Sequence, residues 1–213
     1  MGIKEEFLDK IRIDWMTSCQ THIGLHPNPN FISPLKSIPQ ELLNGCRIYS
    51  DRSELIKSFR QHDLNRVAEI GVQEGFFNEF INDTLNPREL FAVDIDINIY
   101  TNRTKVKENV KLINKNSNAL TIEDFGGELD LIYLDADHSY DSAKKDIQVL
   151  KQLISPGGFF VFNDFTIFSV HEMLFYGVAH AVTDFIVQDG WDVVGLALDE
   201  WNFYDIALQK PKK

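Results

Sequence analysis

The chain has 213 residues, 44% of them hydrophobic and 25% charged, which suits one globular domain with a substantial core and excludes wholesale disorder. Its formal net charge is −11, and its densest basic stretch, Arg103 to Lys111, is interrupted by Glu108, so nucleic acid is not expected as a partner. Two cysteines, Cys19 and Cys46, make neither a disulfide framework nor a cysteine zinc site, and no window approaches the roughly 18 uncharged apolar residues of a spanning helix, so a cytoplasmic protein without membrane contact is the expectation.

Residues 1–60 read as an N-terminal helical and irregular extension, and residues 61–213 as the main domain. Lys4 to Ile13 has the apolar spacing of a short helix. Leu25 to Pro39 holds four of the seven prolines and is expected to be irregular, and Asp51 to Arg60 is expected to be a helix. From Arg66 onward, continuous apolar runs alternate with amphipathic stretches. The runs Arg66–Gly71, Glu89–Asp94, Val110–Asn114, Leu129–Asp135 and Gly158–Asn163 are predicted strands. Phe76–Leu85, Ile97–Lys107, Leu120–Phe125 and Asp141–Leu153 are predicted helices between them. Such alternation, with strands apolar throughout, indicates a Rossmann-like α/β sheet, mostly parallel and covered by helices on both faces. Val170–Gln188 is predicted as one long helix carrying both His171 and His180. Asp192–Ala197 and Trp201–Leu208 follow, too close together for a crossover helix, and so form an antiparallel hairpin. The sixteen phenylalanines predict aromatic core layers, some lining a pocket.

The first strand runs into Glu69-Ile70-Gly71-Val72-Gln73-Glu74-Gly75, where Gly71 permits positive φ and Gly75 lets a ligand approach the backbone. The third glycine of a dinucleotide fingerprint is missing. Glu69 and Glu74 would repel a diphosphate but tolerate a ligand carrying an ammonium and a sulfonium. Taken alone, the pair of glycines is equally a strand-to-helix turn that needs small residues. Asp94 ends the second strand, 23 residues beyond Gly71. There it is either a helix N-cap or the acceptor of two ribose hydroxyls, and the glycine turn upstream favours the ribose. Ser117 and Asn118, after the third strand, stand either at an adenine edge or as helix caps.

Asp135 and Asp137 end the fourth strand and His138 follows, while Asp164 follows the fifth strand. Ligands in open parallel sheets sit outside the strand carboxyl ends, so these acids face the crevice of Glu69 and Asp94. Asp135 and Asp164 fall on neighbouring strand ends, within reach of one divalent cation bound through oxygens. Asp137 and His138 are the candidate catalytic bases, histidine because it titrates in the working range. His171 and His180 read as structural.

The runs Ala68-Glu69-Ile70-Gly71-Val72, Asp135-Ala136-Asp137-His138-Ser139-Tyr140, Lys145-Asp146, Pro156-Gly157-Gly158 and Gly177-Val178-Ala179-His180-Ala181-Val182 resemble the macrocin-type O-methyltransferases, a group of the class I S-adenosylmethionine-dependent enzymes. The likeness covers Val67 to Val187. The Asp-Ala-Asp-His-Ser-Tyr run selects this group, whereas the glycine turn and Pro-Gly-Gly occur across class I. The resemblance implies that the backbone around Gly71 holds the methionine part of S-adenosyl-L-methionine and that Asp94 holds its ribose. It implies Asp135 and Asp164 as Mg2+ ligands and Asp137 as the base that removes a hydroxyl proton. Metal-dependent relatives carry an Asp or Asn directly after the fifth-strand acid, where this chain has Phe165, so that position supplies no third ligand. The implied partner is a small-molecule acceptor such as a sugar or phenol hydroxyl. In relatives, segments like residues 1–60 cover the substrate or mediate assembly, which leaves a homo-oligomer open. The competing readings are a nucleotide-cofactor oxidoreductase and a catalytically silent cofactor binder.

Overall fold

The computed structural model describes residues 34–103, 105–172 and 174–212, with Asp9, Lys10 and Ile13, the last three helical. Most of the expected Lys4–Ile13 helix and of the Leu25–Pro39 stretch therefore lies outside the described residues, and residues 34–39 have no regular structure.

The strands form where apolar residues run without interruption. In chain order they are β1 (Arg47–Tyr49), β2 (Arg66–Ile70), β3 (Glu89–Asp94), β4 (Val110–Asn114), β5 (Leu129–Leu134), β6 (Ile154–Phe162), β7 (Phe168–Ser169), β8 (Leu174–Phe175), β9 (Asp192–Ala197) and β10 (Asp205–Gln209). The helices are α1 (Arg52–Ser58), α2 (Phe76–Leu85), α3 (Asn98–Arg103), α4 (Ile122–Phe125), α5 (Tyr140–Leu150) and α6 (Val178–Asp189). Among the described residues, eight strands make one sheet in the order β1-β9-β10-β6-β5-β2-β3-β4, with β7 and β8 paired separately. β10 pairs antiparallel with β6 and β9, and every other neighbour pair is parallel. The expected class I layout is therefore present, C-terminal hairpin included.

Both faces are buried, as continuous apolar strands require. Ala68, Ile70, Ile132, Phe160 and Phe162 pack against α4, α5 and α6. Val67, Leu90, Leu131, Tyr133 and Val161 pack on the other face against α1, α2 and α3. The aromatic layer is real: the rings of Phe160 and Phe162 lie 4.1 Å apart, with Phe185 and Trp191 against them.

Two expectations need correction. The helix predicted from Val170 begins at Val178, and the residues before it form the β7–β8 hairpin. Phe168 meets Phe175 edge-on across that hairpin, and the Ser169 hydroxyl accepts from the Glu172 amide in its turn, so cross-strand pairing overrides helical spacing. His171 consequently leaves the helix and packs between Trp201 and Phe203, while His180 stays on α6. Secondly, β6 starts four residues before the predicted Gly158, because Gly157 and Gly158 pair with Lys210 instead of turning. Residues 47–58 pack on the same sheet: β1 pairs with β9, and Leu55 and Ile56 of α1 are fully buried.

Candidate active site

The four adjacent parallel strands β5, β2, β3 and β4 end on one side, and a cavity of about 690 Å³ runs across their tips. Gly71, Asp94, Ser117, Asp135 and Asp137 all line it, so the sheet brings together five of the expected residues. Gly71 has φ +90°, and a Cβ there would stand 1.7 Å from the Asp135 carbonyl oxygen. Only glycine lets the ends of β2 and β5 approach this closely. The Gly71 amide donates to the Val93 carbonyl, which ties the turn to β3. One Asp94 oxygen accepts from the Gln73 amide at 2.9 Å and the other from the Asp96 amide at 3.0 Å, so the carboxylate is held at the strand tip.

Two expected residues stand behind this wall. Gly75, with φ +79°, opens α2 and packs its backbone against the Tyr100 ring. Glu69 is 2% exposed and lies beside Asn78, with no hydrogen bond to its Oε2. Burial pushes its carboxyl up to about 8; Asn78 opposes this, and the charge of Asp135 adds to it.

Asp135, His138 and Asp164 converge, with ligating atoms all within 4.8 Å of one another. β5 and β6 are neighbours, which sets Asp135 beside Asp164, and the loop after β5 folds His138 back over them. Asp164 adopts φ +55°, a left-handed conformation costly for a residue with a Cβ and of the kind found at functional sites. His138 Nε2 lies 3.0 Å from Asp164 Oδ2 and 3.9 Å from Asp135 Oδ1. That nitrogen is buried and makes no directed hydrogen bond, and the ring stacks on Tyr176 at 4.2 Å. Burial by itself would lower the His138 pKa, but the two carboxylates push it up to about 10.

Two carboxylates on neighbouring strand ends fit a divalent cation. His138, three residues beyond Asp135, is the third member of the cluster. Asp137 points elsewhere. Its Oδ1 accepts from the Ser139 amide at 2.7 Å, and although burial raises its pKa, hydrogen bonds from Ser139 and Ser142 hold it below the ordinary value.

Across Asp164 lies a second cavity of about 380 Å³, lined by Arg52, Asn163, Trp201, Phe203 and Asp205, among others. The Arg52 guanidinium sits 4.4 Å over the Phe77 ring and donates to Asn163 Oδ1. Tyr133 Oη lies 2.7 Å from Asp205 Oδ2 and 3.0 Å from Asn163 Oδ1. Burial drives Asp205 up to about 7, opposed by Tyr133 and Arg52. None of Arg52, Tyr133 or Asp205 was singled out from sequence; they meet from three distant segments.

Residues 68–165, which run from within β2 to just past β6 and contain every expected site residue, match the profile of a methyltransferase domain family. No curated protein matches the chain. Among solved structures, the N-methyltransferase NodS from Bradyrhizobium japonicum WM9, in complex with S-adenosyl-l-homocysteine, superposes with a TM-score of 0.60 at 16% identity, covering 76% of this chain and 86% of its own. MycE from the mycinamycin biosynthetic pathway, in complex with Mg, S-adenosylhomocysteine and mycinamycin VI, gives 0.54 at 14% identity over 76% of this chain and 48% of its own. An O-methyltransferase family protein from Burkholderia thailandensis gives 0.52 at 16% identity, over 76% of this chain and 55% of its own. The domain profile over the cleft and the methyltransferase fold around it agree with the motifs: this chain resembles the class I S-adenosylmethionine-dependent methyltransferases, the MycE-type O-methyltransferases among them.

Proposed function

We propose that the chain transfers a methyl group from S-adenosyl-L-methionine to a hydroxyl of a small molecule. The observation that carries this reading is the Asp135–His138–Asp164 cluster at the junction of two cavities, Asp135 lining the larger and Asp164 the smaller. The larger cavity takes the cofactor, its ribose on Asp94 and its methionine part along the Gly71 turn. The smaller takes the acceptor between Arg52 and the Trp201 and Phe203 rings. Positioning the hydroxyl in line with the sulfur–methyl bond supplies much of the rate.

Asp135 and Asp164 would hold a divalent cation, which when bound makes the acceptor hydroxyl more acidic. With the two carboxylates engaged by that cation, His138 would lose the charge that holds its proton, and its Nε2 would then take up the proton of the acceptor hydroxyl. This assignment favours His138 over Asp137 because Asp137 faces the cofactor cavity and spends one oxygen on the Ser139 amide. Glu69 acts from beneath the turn, not by direct contact with the cofactor. A second acceptor class, an amine, is favoured by the smaller cavity's lining, in which Asp51, Asp164, Asp199 and Asp205 outnumber Arg52.

The test is transfer of labelled methyl from S-adenosylmethionine to matched hydroxyl and amine compounds, with added Mg2+ and with chelator. Hydroxyl products in the presence of metal are expected. His138→Ala should lower turnover by roughly 100-fold or more while leaving S-adenosylhomocysteine affinity within about threefold. Full turnover in that variant returns the base role to Asp137, and cofactor binding without any product favours a silent binder.

A further inference from the structure

Four carboxylates line the smaller cavity, those of Asp51, Asp164, Asp199 and Asp205, and three of them are engaged. Asp51 accepts from the Glu54 amide at 3.0 Å, Asp199 accepts from the Trp201 amide at 2.7 Å, and Asp164 faces His138. Asp205 differs. It is 1% exposed yet lines the cavity, and the Tyr133 hydroxyl is the hydrogen-bond partner of its side chain among the described residues. Arg52 donates to Asn163 and stands over the Phe77 ring rather than pairing with Asp205. A buried carboxylate with a single neutral donor is short of hydrogen bonds, and at a cavity wall it can receive them from a ligand.

The register of β10 sets where that ligand group sits. Ile206 pairs with Phe162, so Asp205 comes opposite Asn163, one residue before Asp164. The Tyr133 hydroxyl spans this pair, 2.7 Å from Asp205 and 3.0 Å from Asn163. A group held by Asp205 is therefore beside the Asp135–His138–Asp164 cluster but not on it. An ammonium supplies both things missing there, N–H donors and positive charge. Trp201, 52% exposed, lines the same cavity and offers an indole face, which attracts a cation.

We infer that the acceptor is an amino alcohol, whose protonated amine is held by Asp205 while its neighbouring hydroxyl is methylated. This rests on the hydroxyl reading above and adds to it the second group by which the site selects its substrate. It departs from methylation of the amine itself, because an ammonium has no lone pair with which to attack the methyl group. It departs equally from a purely structural Tyr133–Asp205 clamp, which would be indifferent to the charge of the acceptor.

Two probe sets test this on the protein loaded with S-adenosylhomocysteine: glucosamine with N-acetylglucosamine and glucose, and tyramine with N-acetyltyramine and 4-ethylphenol. In calorimetry the amine of at least one set should bind roughly 10- to 100-fold more tightly than both neutral partners. In Asp205→Asn the members of that set should bind within about threefold of one another. With labelled S-adenosylmethionine, the methyl group should arrive on oxygen. Amines that bind no better than their neutral partners in both sets, or an undiminished preference in Asp205→Asn, overturn the inference, and methyl transfer to the neutral hydroxyl compounds then leaves the hydroxyl reading standing. Methyl on nitrogen overturns both. If Asp205→Asn does not fold, the wild-type comparison decides by itself.

Discussion

Glu69 carries a carboxyl group to a place that water does not reach, directly beneath the glycine turn. Burial is the main cause of its rise from 4.5 to about 8. In that interval the folded chain retains a proton that the unfolded chain has released. The stability it contributes is therefore complete below about pH 4.5 and lost as pH rises through about 8. Thermal unfolding of the ligand-free protein between pH 5 and pH 9 should show this. The wild-type midpoint should fall by several degrees more than that of Glu69→Gln, which has no proton to lose. Parallel profiles would mean that Glu69 is already ionised in the fold. The identity of Glu69 was legible in the sequence, but its burial behind the cleft wall was not, because strand alternation decides which face a side chain takes and cleft walls recruit from one face only.

At the scale of elements, the site depends on how closely β2 and β5 end together. Gly71→Ala would combine a left-handed backbone with a clash against the Asp135 carbonyl. Gly190→Ala shares the left-handed backbone, at φ +68°, but meets nothing within 4 Å. In urea unfolding, Gly190→Ala should cost about 1 kcal/mol, and Gly71→Ala distinctly more, about 3 kcal/mol, with loss of S-adenosylhomocysteine binding. Equal costs would show that the strand ends can part without penalty. The β7–β8 hairpin belongs to this scale too. Its residues have helix-like apolar spacing, but Phe168 finds Phe175 across the turn, and Gly177 must lie against the Tyr140 backbone, where a Cβ would be 2.1 Å from the amide nitrogen. Contacts between segments far apart in sequence set that boundary, so local periodicity misplaced it.

For the whole molecule, the chain order of β2 to β6 differs from their order in the sheet, and this difference gathers the cleft. A cofactor that spans the tips of four strands should stabilise the fold as a unit. S-adenosylhomocysteine at about 100 times its dissociation constant should add about 2.7 kcal/mol to the unfolding free energy. NAD at the same concentration should add none, since Glu74 lines the cavity and no third glycine opens the turn for a diphosphate. Stabilisation by NAD instead would revive the oxidoreductase reading. Among the described residues, no helix is long and apolar enough to cross a membrane.

Apolar runs and glycine positions in the chain were enough to determine the parallel sheet, the C-terminal hairpin and the residues at the strand tips, because strand period and backbone freedom are local properties. Tertiary structure alone decided that His138 closes the pair Asp135 and Asp164, that Arg52, Tyr133 and Asp205 meet beside Asn163, and that Asp146 lines the cavity beside Ser117. The hydrogen bond from Arg52 to Asn163 joins residues 111 positions apart. Those meetings arise from strand order and from the packing of helices on the sheet, which no short stretch of sequence encodes.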